Sequence, residues 1–110
     1  MTVPPLVIAS VSDVPENDVI AVTVQDHMLA VYNVDGKIYA SDDRCSHGNA
    51  QLSDGYVEDG LIECPLHSGT FKICDGSPCD PPAVVPMKVY QVAVQGNDIV
   101  LLDPSELYDS

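Results

Sequence analysis

Cys45-Ser46-His47-Gly48 and Glu63-Cys64-Pro65-Leu66-His67 decide how this chain must be read, with sixteen residues separating His47 from Cys64. Each string offers one soft thiolate and one imidazole, cysteine first. In extended backbone, residues i and i+2 face the same side, so Cys45 and His47 can address one target. The second pair needs a tight turn, favoured by Pro65 on one side and Ser68-Gly69 on the other. A single histidine in a β domain is more often an incidental core or surface residue. Two Cys-then-His pairs in a chain with only three histidines and four cysteines point instead to a metal centre. Two sulfurs and two imidazoles suit tetrahedral zinc or a mixed-ligand iron–sulfur cluster. Zinc fingers usually group like ligands in sequence. One thiolate and one imidazole per string fits a single [2Fe-2S] cluster, with the thiolates on one iron and the imidazoles on the other.

Around these strings, residues 42–82 hold five of the seven glycines, all four cysteines and two of the three histidines. Ordering so loop-rich a stretch through side-chain burial alone would be expensive, and a metal centre supplies the missing restraint. Its short strand-like pieces are Leu61–Glu63 and Thr70–Ile73. The other two cysteines, Cys74 and Cys79, lack further ligands and are expected as buried structural thiols.

Further out, the pattern is that of strands. Ile20, Val22 and Val24 share one face of residues 18–24, and a second run covers His27 to Val34. Asp35-Gly36 is the dipeptide of a two-residue hairpin, with residues 37–41 returning. Residues 88–94 and 98–102 form another pair about Gly96-Asn97, and one helical turn is expected after Pro104. The tyrosines and Phe71 are expected in or beside the core, and His27 at the solvated start of a strand. The expected fold is all-β. At 110 residues the chain is read as a single domain, 1–110, with a cluster-binding subdomain at about 42–82.

Seventeen acidic residues against four basic ones give a formal net charge of −13. Such a body repels nucleic-acid phosphates and anionic membranes, and its natural counterpart is a basic protein surface. No apolar run approaches the roughly 20 residues needed to cross a bilayer. The N-terminal residues carry no Lys or Arg before Lys37, unlike an export signal, so a cytoplasmic location is expected. There is no G-x-G-x-x-G loop for NADH or flavin and no two-His-one-carboxylate iron site.

At Cys45-Ser-His-Gly48, Asp54-Gly-Tyr56, Glu63-Cys-Pro-Leu-His67, Phe71 and Cys74-Asp-Gly76 the chain resembles the Rieske family, specifically the small ferredoxins of bacterial aromatic-ring-hydroxylating dioxygenases. The resemblance extends over nearly the whole chain. It implies a Rieske fold, an antiparallel β-sandwich-like base bearing a small cluster-binding subdomain. It also implies that Cys45 and Cys64 bind one iron and His47 and His67 the other. Rieske proteins of respiratory and photosynthetic complexes add a disulfide between the ligand loops. The corresponding residues here are Ala50 and Leu66, so that bridge cannot form.

The implied protein is an electron carrier, not an enzyme. With every ligand position filled, no site remains for substrate or dioxygen. The expected partners are an NAD(P)H-dependent flavoprotein reductase and a terminal Rieske oxygenase, each docked transiently by the acidic surface of a monomer. Two thiolates make the oxidised centre neutral, which eases reduction relative to a four-thiolate centre. Asp42, Asp43, Asp54, Glu58 and Asp59 oppose the added electron. A potential near the bottom of the Rieske range of about −150 to +300 mV is expected. The alternatives are a structural zinc-binding module, or the Rieske small subunit of a reductase such as nitrite reductase.

Overall fold

The computed structural model describes residues 4–44, 50–65, 69–80 and 86–108. Its strands are β1 (Leu6–Ser10), β2 (Asp18–Val24), β3 (His27–Val34), β4 (Lys37–Asp42), β5 (Tyr56–Glu58), β6 (Leu61–Glu63), β7 (Thr70–Lys72), β8 (Pro78–Asp80), β9 (Val89–Tyr90), β10 (Val92–Gln95) and β11 (Asp98–Leu101). They form three antiparallel sheets, ordered β1-β11-β10, β2-β3-β4-β9 and β5-β6-β7-β8. The fold is all-β, and among the described residues the helical turns are short 3₁₀ segments such as Pro104–Tyr108.

The β2-β3-β4-β9 sheet lies in the middle, and β3 shows why. Leu29, Ala30, Val31 and Tyr32 are all fully buried, whereas a strand with one wet face would alternate. Leu29 packs with Val24, Ala40, Tyr90, Leu101 and Leu107, and Val31 with Val14 and Ile99. These contacts join the middle sheet to β1-β11-β10 as a sandwich. On the opposite face, Ala30 and Tyr32 pack with Val19, Leu52, Ile62, Cys64, Phe71, Ile73 and Met87. That second core seats the small β5–β8 sheet on the base.

The hairpin at Asp35-Gly36 forms as its sequence predicts, with positive φ of 51° and 89° at the two turn residues. Asp59 and Gly60 repeat that geometry between β5 and β6, with φ of 53° and 77°. The expected strand over residues 88–94 is instead two strands. Val89–Tyr90 pairs with β4, whereas β10 pairs with β11. The break falls at Gln91, whose carbonyl accepts the Leu102 amide at 3.0 Å. The chain thereby passes from the middle sheet to the outer one.

Candidate metal centre

Of the four expected ligands, Cys64 belongs to the described residues; Cys45, His47 and His67 lie outside them. Cys64 directly follows β6. It is fully buried, is not in a disulfide, and packs with Leu52, Ile62, Phe71 and Met87. The β6–β7 ladder pairs Ile62 with Phe71 and Glu63 with Thr70. One step further, the Cys64 amide donates to the carbonyl of Gly69 at 2.8 Å. The segment that carries His67 is therefore closed at its base by the same hairpin that delivers Cys64.

The segment carrying Cys45 and His47 is closed as well. Arg44 and Gln51 form an antiparallel bridge, and the Leu52 amide donates to the carbonyl of Asp43 at 2.6 Å. The Asp43 amide donates to the carbonyl of Met28 at 3.1 Å, tying the base of this segment to β3. The Asp43 carboxylate accepts the Ser53 amide at 2.7 Å and the Ser53 hydroxyl at 3.0 Å.

The two closed bases meet. Leu52 and Cys64 share one core, with Ala50 packed against it. The backbone at Gly55 approaches that of Glu63 so closely that a Cβ would stand 2.0 Å from the Glu63 oxygen. A buried, unbridged thiol where two closed loop bases meet, in a chain whose intervening sequence supplies two His and one further Cys, offers a donor set that fits a mixed-ligand [2Fe-2S] cluster. Apolar packing below Cys64 keeps water from the sulfur on that side.

One expectation needs correction. Cys74 and Cys79 are exposed, not buried, because the β7–β8 hairpin turns them away from the core that Phe71 and Ile73 enter. Asp43, one of the acidic residues expected around the cluster, is fully buried, and its carboxylate accepts both bonds from Ser53. The tyrosines divide: Tyr32 and Tyr90 are buried, and Tyr56 is 69 % exposed. Burial holds the Tyr32 phenol well above its ordinary pKa, although its hydrogen bond with Ser41 opposes the shift. His27 opens β3, half-buried, paired with Val24. The contacts of Asp43 with Ser53 and of Gly55 with Glu63 escape sequence reading, since no motif links residue 43 to 53 or 55 to 63.

The Rieske [2Fe-2S] domain family profile matches residues 5–102. The naphthalene 1,2-dioxygenase system ferredoxin component of Pseudomonas putida is 45 % identical over 105 residues, covering 96 % of this chain and all of the relative. The Sphingomonas yanoikuyae B1 ferredoxin structure superposes with a TM-score of 0.85 at 38 % identity, covering 90 % of this chain and 98 % of that one. A ferredoxin solved in complex with the oxygenase of carbazole 1,9a-dioxygenase gives a TM-score of 0.82 at 36 % identity, covering 89 % and 92 %.

Proposed function

The chain belongs to the Rieske [2Fe-2S] domain family, and from that premise we propose that it carries single electrons from an NAD(P)H-dependent flavoprotein reductase to a terminal aromatic-ring-hydroxylating oxygenase. It holds a Rieske-type [2Fe-2S] cluster and is an electron-transfer component, not a catalyst. A relative solved with its oxygenase supports the oxygenase as one partner. The reductase follows from the need to refill the carrier, because the chain has no nucleotide-binding motif of its own.

When bound, the cluster supplies one-electron redox chemistry at a potential raised by its two neutral imidazoles. We assign Cys45 and Cys64 to one iron and His47 and His67 to the other, one cluster in a single domain whose cluster-binding part spans about 42–82. Cys64 is the observation that carries the reading: a fully buried, unbridged thiol at the closed base of the segment bearing His67. Free thiols at Cys64, Cys74 and Cys79 accord with a reducing cytoplasm, and the chain is taken to work there as a monomer. Among the described residues no helix is long and apolar enough to cross a membrane. The midpoint potential belongs at the lower end of the Rieske range.

For docking, the outer face of β5-β6-β7 is the proposed contact. Tyr56, Glu58, Leu61, Glu63 and Thr70 line a shallow groove there, immediately before Cys64. An exposed aromatic ring among carboxylates suits an arginine or lysine of a basic partner surface.

Purified protein should contain about two irons and two acid-labile sulfides per chain, be coloured, and become EPR-active on reduction. Cys64→Ser should abolish all three. A colourless, EPR-silent protein containing zinc would falsify the carrier reading and favour a structural zinc module.

A further inference from the structure

We propose that Asp43 is the positioning residue of the first ligand segment: its carboxylate and its peptide group fix where that segment begins and ends relative to Cys64. The inference rests on the cluster reading above, since a segment with no ligand to present would need no such anchor. Among the described residues Asp43 is the one charged side chain that is buried, with no exposed surface. Burying a carboxylate is costly unless hydrogen bonds satisfy it, and an apolar residue of similar volume would fill space without that cost. What a carboxylate adds is direction. Oδ1 accepts the Ser53 amide at 2.7 Å and Oδ2 accepts the Ser53 hydroxyl at 3.0 Å, both charge-assisted bonds.

The backbone of the same residue completes the anchor. The Asp43 amide reaches Met28 of β3 at 3.1 Å, and its carbonyl accepts the Leu52 amide at 2.6 Å. Entry limb, exit limb and central sheet are thus joined at one residue, two positions before Cys45. The exit limb continues into Leu52, whose fully buried side chain lies in the same core as Cys64. Alanine at this position removes both acceptors, whereas asparagine would keep one for the Ser53 amide and could donate its NH₂ to the Ser53 hydroxyl oxygen.

Cluster-loaded wild type, Asp43→Ala and Ser53→Ala are compared by decay of visible absorbance in excess chelator, by EPR of the reduced protein, and by hydrogen exchange of β1-β11-β10. Asp43→Ala should lose its cluster about tenfold faster because both acceptors are gone, and Ser53→Ala about threefold faster because the Ser53 amide remains bound. The EPR lines of both should broaden while exchange in the outer sheet stays unchanged. Wild-type decay rates and unaltered EPR lines in both variants would overturn the role of Asp43 while leaving the cluster reading intact. If Asp43→Ala yields no folded protein, the decay rate of Ser53→Ala decides alone. Wild-type protein free of iron and sulfide overturns both readings together.

Discussion

A methyl group on Gly55 would stand 2.0 Å from the Glu63 oxygen and 3.1 Å from the Leu52 oxygen, both backbone atoms that cannot swing aside. The backbone at Gly55 has φ of −89°, so the demand is for space and not for conformational freedom. Gly55→Ala should therefore cost about 1–3 kcal/mol through overpacking. The damage should fall on the contact between the two segments proposed to bear the ligands. Iron content per folded chain is the measurement, and a fully loaded Gly55→Ala protein with wild-type thermal stability refutes the close approach. Tyr32 makes a different demand. Its buried hydroxyl lies 2.7 Å from Ser41 Oγ, and Ser41 in turn donates to the Asp42 carbonyl at 2.9 Å, beside the anchor at Asp43. Burial raises the Tyr32 pKa above the ordinary 10.0. The folded state thus favours the neutral phenol, and that contribution is complete below pH 10 and lost as pH rises beyond it. Tyr32→Phe should lose about 1 kcal/mol at neutral pH, and its deficit should shrink above pH 10 because phenylalanine has no proton to release. Denaturation midpoints from pH 7 to 11 check this. Parallel curves would mean that Tyr32 ionises without resistance.

At the scale of the element, the β7–β8 hairpin shows both what the sequence discloses and what it conceals. Thr70 pairs with Asp80 and Phe71 with Pro78, which leaves Cys79 as the extra residue of a β-bulge. Cys74 lies in the intervening turn, where the Asp75 carboxylate accepts the Ser77 amide and hydroxyl at 2.9 and 2.7 Å. Gly76 adopts φ of +79°, and a Cβ there would approach the Met87 oxygen to 2.4 Å. Both cysteines consequently face solvent. Native holoprotein should present two rapidly reacting thiols to an aromatic disulfide reagent. Cys74→Ser with Cys79→Ser should remove that reaction, keep the full cluster, and change stability by no more than about 0.5 kcal/mol. Slow reaction of both thiols would restore the structural role expected of them. The longer elements are legible because period-two alternation or a turn dipeptide announces them, as in β2 and in the β3–β4 hairpin. β1, β5 and β8 are not, because three to five residues are too few to show a period. Asp59-Gly60 does carry a turn signal, but its flanking strands have three residues each. The break at Gln91 is invisible in the strand-like run of residues 88–94 because it is set by which sheet each half pairs with. The ligand set is proposed from residue type and spacing alone, whereas Asp43 and Gly55 act through contacts made only once the chain has folded.

Across the whole molecule, a formal net charge of −13 is spread over a body of 37 × 30 × 20 Å, so its field extends beyond the surface by about the Debye length of 8–10 Å at physiological salt. Such a field draws any basic surface toward any face, and steering alone does not select a docking geometry. Selection needs local features beside the centre that exchanges the electron. On the outer face of β5-β6-β7, Tyr56 pairs across the strands with Glu63, and Glu58 with Leu61. The ring of Tyr56 is 69 % exposed, so truncating it removes little packing. The two contributions can be separated. Glu58→Gln together with Glu63→Gln should slow oxidation of the reduced carrier by its terminal oxygenase about three- to tenfold at low ionic strength, and the difference should close as salt screens the charges. Tyr56→Ala should lower the same rate by a factor that persists at high salt, because stacking of a guanidinium on a ring depends less on screening than charge steering does. Stopped-flow traces across a salt series, with unfolding midpoints for each variant, provide the test. Equal loss when two carboxylates on a distant face, such as Asp98 and Asp103, are neutralised instead would show that the field acts without a preferred face, and the β5-β6-β7 groove would no longer be the contact.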